Sequence, residues 1–279
     1  MMEIGILSLS YSFKGYTFDE FLASVKEIGF DVYELSTAPG AHKGTIRFDE
    51  EGIEEIKKKS AKMGLKIHAL GGYTNFVRKS AKDIDEEVKK VMNYLDIAEK
   101  LGAKVIRVFG GEPNPDIPES EWEELIAKGL KECAPEAEKR KVYLGMENHG
   151  YITNDAELEI RIIEKVGSPF VRLTVDTSNY YWYGHPLSTI ERFYKLVAPY
   201  CVHTHLKDGS ARNGAREKYI SLALGEGDLP LELFLDELLN SGFKGPLCIE
   251  YEGEEDAKIG AKKGYEYLKN YLAKRGKIG

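Results

Sequence analysis

Cysteine is scarce in this 279-residue chain: Cys133, Cys201 and Cys248 lie far apart and fit no C-x-x-C pattern. That argues against a disulfide framework, and the three thiols read as small buried hydrophobes in a reducing compartment. Long apolar runs are missing too. No stretch approaches the roughly 18 residues of a membrane-spanning helix, and the start MMEIGILSLSY carries an acid where a secretory leader wants basic residues. A cytoplasmic protein with no membrane partner is expected. Positive charge is not in excess either, since 39 Lys and Arg face 46 Asp and Glu for a net of −7. This balance disfavours nucleic acid as a partner, which needs a clustered basic face.

What is present is a regular alternation. Short β-branched or apolar runs near 3–9, 31–35, 66–70, 104–110, 142–148, 170–176, 200–207 and 246–252 are each followed by a segment of helical period. The helices are expected near 18–29, 48–63, 84–101, 119–139, 155–166, 187–197, 230–241 and 255–274. Eight βα pairs without a linker predict an α/β protein, a single (β/α)8 TIM barrel over 1–279. In the first helix Phe18, Phe21, Leu22, Val25 and Ile28 recur at helical spacing behind a capping box of Thr17 and Glu20. Ser120 and Glu123 suggest a second box, and Gly29, Gly64, Gly102 and Gly242 stand where helices should end. The long connections, 36–47, 71–83, 111–118, 177–186 and 208–229, all run from strand to helix. In a barrel that is the face that carries active sites.

Strand alternation then sorts side chains into barrel interior and outer shell. Four strands end on an inward side chain able to bind metal: Glu147 in VYLGMENHG, Asp176 in VRLTVDTSNY, His205 in CVHTHLKDG and Glu250 in PLCIEYEG. The same alternation turns Glu34, His68, Arg107, Arg172 and His203 inward. Buried carboxylates need a counter-charge, and three of them with one imidazole suit a divalent cation. The rival reading is a structural network in which the acids pair with Arg107, Arg172 and one another.

With MENHG, VDTSN, HTHLKD and the closing LGEGDLPLELFLDELLNSGFKGPLCIEYEG in this order, the chain resembles the xylose isomerase-like barrel superfamily. Within it the likeness is to the sugar phosphate isomerase/epimerase group that includes ketose 3-epimerases and inosose dehydratases. The resemblance implies one metal ion on Glu147, Asp176, His205 and Glu250. It further implies that Glu147 and Glu250 face opposite sides of a sugar and exchange its carbon-bound proton through an enediolate. Manganese leads for the ion because the donor set is fairly hard, with Mg²⁺, Co²⁺ and Zn²⁺ also fitting.

Further candidates for substrate contact are His149, Glu34, His68, Arg107, Lys207, Arg212 and Trp182. Tyr73, Phe76, Tyr151, Tyr180, Tyr181 and Tyr183 also fall on active-face loops, where rings stack on sugar C–H faces or simply roof the barrel. The turn at 225–227 reads either as a phosphate-binding loop or as a plain one. Two positions depart from many ketose 3-epimerases: Asn179 stands where they carry histidine, and Ala211 where they carry arginine. The expected activity is a metal-dependent sugar isomerase or epimerase, with a sugar dehydratase as the main alternative. An abasic-site endonuclease and a non-catalytic sugar-binding barrel fit less well. The expected partners are a small sugar-like molecule and further copies of the chain, as a dimer or tetramer.

Overall fold

The computed structural model describes residues 2–211 and 216–276. Strands β1 (Ile4–Leu7), β2 (Val32–Ser36), β3 (Lys66–Gly71), β4 (Val105–Phe109), β5 (Tyr143–Glu147), β6 (Val171–Asp176) and β7 (Cys201–His205) come first. A hairpin of β8 (Asp208–Ala211) and β9 (Tyr219–Leu222) follows, and then β10 (Leu247–Ile249). Apart from the hairpin, the strands form one eight-stranded parallel sheet in the order β10-β1-β2-β3-β4-β5-β6-β7. Its two ends meet where the Leu206 N–H donates to Cys248 O at 2.7 Å and the Glu250 N–H to Leu206 O at 3.0 Å. The fold is a (β/α)8 TIM barrel.

The eight expected helices are α2 to α6 and α8 to α10 of the following series. In chain order the helices are α1 (Leu9–Ser12), α2 (Phe18–Ile28), α3 (Glu50–Lys62), α4 (Ala81–Leu101), α5 (Glu119–Arg140), α6 (Ala156–Val166), α7 (Asn179–Tyr183), α8 (Leu187–Val197), α9 (Leu231–Ser241) and α10 (Ala257–Lys274). In α2 the Glu20 N–H donates to Thr17 Oγ1 at 3.3 Å while the Thr17 N–H donates to the Glu20 carboxylate at 2.8 Å. Phe18, Phe21, Leu22 and Val25 are buried on its inner face, each contributing about 1.5–3 kcal/mol of hydrophobic stabilisation. Among the described residues no helix is long and apolar enough to cross a membrane.

One expectation is corrected and two features are added. Ser120 does not cap α5: the helix already begins at Glu119 behind Pro118, so Ser120 lies inside the first turn. Glu123 instead pairs with Arg161 and Lys165, each at 3.0 Å. Within the long connection 208–229, Asp208–Ala211 pairs antiparallel with Tyr219–Leu222. Its strands are too short to show a period in sequence. Finally, α1 and α7 are single short turns at strand exits that no periodic pattern could reveal.

Candidate metal centre

One ligand atom from each of Glu147, Asp176, His205 and Glu250 can be chosen so that all lie within 4.8 Å of one another. All four residues are buried. The cause is the pleat: each residue ends or immediately follows its strand on the inward side, so four separate strands converge on one point. Side chains hold the strand tips in register. The Asn148 amide donates to Asp176 O at 2.8 Å and accepts from the Asp176 N–H at 2.7 Å, imitating a backbone pair between the tips of β5 and β6. Thr177 Oγ1 does the same between β6 and β7, donating to Lys207 O at 2.6 Å and accepting from the Lys207 N–H at 2.9 Å.

His205 is oriented from behind. Its Nε2 lies 2.6 Å from Glu34 Oε2, and its Nδ1 faces Glu147 Oε1 at 3.0 Å and Glu250 Oε2 at 3.2 Å. If Nε2–H donates to Glu34, a neutral ring turns its Nδ1 lone pair toward two carboxylates. Only a proton or a cation reconciles those groups. Asp176 Oδ2 is also buried without a hydrogen-bond partner. The donor set therefore fits a divalent ion, with Glu34 as the carboxylate that orients the imidazole.

The electrostatics agree. Burial alone would lower the His205 pKa, but Glu34, Glu147 and Glu250 raise it well above the usual imidazole value. Burial would raise Glu147 and Glu250, yet His205 and Arg107 bring Glu147 below its ordinary value, and Lys207 and His205 bring Glu250 down. Asp176 goes the other way, pushed up to about 7 by burial and by the neighbouring Glu250 and Glu147 charges.

Arg107 lies beneath this cluster, its Nε 3.2 Å from Glu147 Oε2 and 3.7 Å from Glu34 Oε1. His203 Nε2 reaches Glu34 at 2.7 Å. Glu34 and Arg107 are thus buried in contact with the candidate ligands, Arg107 one pleat deeper than Glu147. Arg172 sits near the opposite end of β6, donating to Ser168 O and Val171 O at 2.9 and 3.0 Å. It is four residues from Asp176, about 13 Å along the strand, so the acid network draws on Arg107 and not on Arg172. His68 stacks on His203 with centroids 5.8 Å apart and lines a hollow with Lys104 and Tyr143 at the strands' N-terminal end.

His149, Lys207 and Trp182 line a cavity of about 300 Å³ on the active face. The His149 ring lies flat on Phe109, centroids 4.0 Å apart, and burial lowers its pKa. Lys207 is buried, with Nζ 2.6 Å from Glu252 Oε2, 3.4 Å from Asp176 Oδ2 and 3.7 Å from Glu250 Oε2. Glu112, Tyr219 and Glu252 also line the cavity, though sequence reasoning did not single them out. For Glu252 the signal was there, two residues beyond Glu250. Phe76 and Tyr180 are fully buried and play no part in the lining. Arg212 falls outside the described residues.

A family model for xylose isomerase-like TIM barrels matches residues 22–271. The chain belongs to this family. It is 28% identical over 173 residues to a D-psicose 3-epimerase of Enterocloster bolteae, a match spanning 57% of this chain and 56% of that protein. An L-ribulose-5-phosphate 3-epimerase of Shigella flexneri serotype 5b is 23% identical over 268 residues, covering 93% of this chain and 91% of the relative. In fold, the chain is similar to a xylose isomerase-like TIM barrel protein from Mycobacterium smegmatis crystallised in complex with magnesium, with a TM-score of 0.77 and 19% identity over 98% of this chain and 97% of that one.

Within this xylose isomerase-like barrel, Asn179 is not idle. Its amide donates to Asn148 O at 2.8 Å and its N–H to Asp176 Oδ1 at 3.1 Å, so it braces the β5–β6 clamp. Ala211 pairs with Tyr219 in the hairpin.

Proposed function

We propose that this chain is a divalent-metal-dependent sugar epimerase, acting on a ketose or related polyol-ketone by proton transfer. The observation that carries the reading is the pair Glu147 and Glu250, two carboxylates from non-adjacent strands with His205 Nδ1 between them at 3.0 and 3.2 Å. An ion held by Glu147, Asp176, His205 and Glu250 would supply Lewis-acid polarisation of the substrate carbonyl and neighbouring hydroxyl. One glutamate takes the carbon-bound proton, leaving an enediolate, and the other returns a proton to the opposite face. Both have pKa values below the ordinary carboxylate one, so either is ionised and able to take the first proton, and the glutamate that returns a proton to the opposite face must first acquire it from solvent. The 3-epimerase relatives support the reaction class, and the donor set supports the metal. The test is metal analysis followed by proton NMR of a ketose panel in D₂O. Deuterium entering carbon with inversion is expected. Loss of water from the product would favour a dehydratase, and the absence of any exchange would remove the reading.

Two further outcomes follow from the geometry. Metal binding must displace the Asp176 proton, whose pKa lies near 7, and the proton on His205. Apparent affinity should therefore climb between pH 6 and pH 8, most steeply below about 7, where Asp176 still carries its proton, at about tenfold per pH unit for each proton released, and less steeply above it. Calorimetric titration with Mn²⁺ across that range checks it; a flat profile would be the contrary result. Replacing Asn148 by Asp keeps the acceptor for the Asp176 N–H but sets an anionic oxygen against Asp176 O. Affinity for Mn²⁺ should fall about 10- to 100-fold, as for other residues that orient ligands, and the same titration reads it.

A further inference from the structure

Resting on the epimerase reading, we propose that the substrate is an unphosphorylated monosaccharide ketose or polyol-ketone, and that this face selects against a phosphate. Among the described lining residues the charged side chains are Glu112, Glu252 and Lys207, and Asp176 and Glu250 of the candidate ligand cluster lie 3.4 and 3.7 Å from the Lys207 ammonium. Lys207 is the sole lysine or arginine in that set, and its ammonium is already shared among Glu252, Asp176 and Glu250 at 2.6, 3.4 and 3.7 Å. A phosphate carries a charge of about −1.5 to −2 near neutral pH. It would meet the Glu112 and Glu252 carboxylates at the mouth with no unengaged lysine or arginine among these residues.

The backbone offers no better hold. The turn at 225–227 has the N–H array that a phosphate would use, but the chain has filled it with its own acid. Gly225 and Gly227 N–H groups donate to Asp208 Oδ2 at 2.9 and 3.0 Å, and Gly209 N–H to Asp208 Oδ1 at 2.8 Å. At the exit of β6 the Ser178 and Asn179 N–H groups likewise donate to Asp176 Oδ1, at 2.8 and 3.1 Å. Two nests of backbone donors near the site therefore hold internal carboxylates. What remains suits hydroxyls and C–H faces. Carboxylates accept from sugar O–H groups, and Trp182 packs edge-on to Tyr151 at 5.8 Å beside His149. About 300 Å³ is the small end of ligand cavities, the size of a monosaccharide.

The experiment compares matched pairs on the metal-loaded protein, L-ribulose with L-ribulose 5-phosphate and D-psicose with D-psicose 6-phosphate. Carbon-bound hydrogen exchange in D₂O and calorimetric binding are both read. In each pair the free ketose should have at least about tenfold the kcat/KM of the phosphate, from like-charge exclusion, and added salt should narrow the gap. Glu112→Gln should narrow it as well. Preference for the phosphate, above all one lost in Arg212→Ala, would overturn this proposal and leave the epimerase reading standing. Binding of the free ketose alone, with no exchange, would support the substrate class and defeat the epimerase reading. Neither binding nor exchange with any of the four would defeat both.

Discussion

Glu147→Gln and Glu250→Gln are each expected to lower kcat by about 10³- to 10⁴-fold, the upper part of the range for loss of a positioned acid or base. Glutamine preserves volume and one oxygen ligand but cannot take a proton from carbon at neutral pH. Each change also removes a charge from a buried cluster in which His205 Nδ1 touches both carboxylates. Metal loss and loss of proton transfer are separable. If the glutamates are proton carriers, saturating Mn²⁺ will refill the site in either variant without restoring exchange. His205→Ala should behave oppositely, with affinity for the ion weakened and activity substantially recovered at high metal. The measurement is initial-rate exchange in D₂O against metal concentration, alongside metal content. Full activity in either Gln variant would remove that residue from the mechanism.

The barrel and the convergence of its four candidate ligands were legible in the sequence because both depend on short-range periodicity. A period of two fixes which face of a strand a side chain occupies, so MENHG, VDTSN, HTHLKD and IEYEG sufficed to send Glu147, Asp176, His205 and Glu250 to one cavity. The parts that were not legible depend on contacts between distant segments. Asn148 sits one residue past Glu147 and resembles any polar loop residue until its amide is seen spanning to Asp176. Asp208 follows Lys207 in a pair that suggests a rim salt bridge, but its carboxylate instead gathers the N–H groups of a turn 17 to 19 residues away. Direction along the strand was the other blind spot. Alternation turned Arg172, His68 and Arg107 inward alike, and only their depth separates the ion-pairing Arg107 from two residues near the N-terminal end.

That depth makes loss of the Arg107 side chain costly to stability. Arg107→Met is expected to destabilise the metal-free protein by about 3–5 kcal/mol, the range for breaking a buried ion pair by removing one partner. Its guanidinium lies between Glu147 and Glu34, donates from Nη1 to Gly72 O at 3.0 Å, and is packed against the rings of Phe109 and Tyr73 at 4.2 and 4.7 Å. The neighbouring backbone is shaped around it: a Cβ on Gly71 would come within 3.2 Å of Arg107 Nη2 and 3.0 Å of Glu34 Oε1. Methionine fills much of this volume but leaves two buried carboxylates with less counter-charge. At about 2–4 °C per kcal/mol the melting temperature should drop on the order of 10 °C. The sign of the pH dependence is fixed as well. Glu147, brought below its ordinary pKa by His205 and Arg107, makes a stabilising contribution that is present above the usual carboxyl range and lost as pH falls. The gap between parent and Arg107→Met should therefore be widest near neutral pH and close in acid. Adding Glu34→Gln should recover part of the loss, since one fewer buried charge is left without its partner, and urea denaturation of the four proteins of that cycle measures the coupling. If Arg107→Met matched the parent at neutral pH, ion pairing would not be what holds Glu147 in its ionised, proton-accepting form, and the polar interior would need another source of stability.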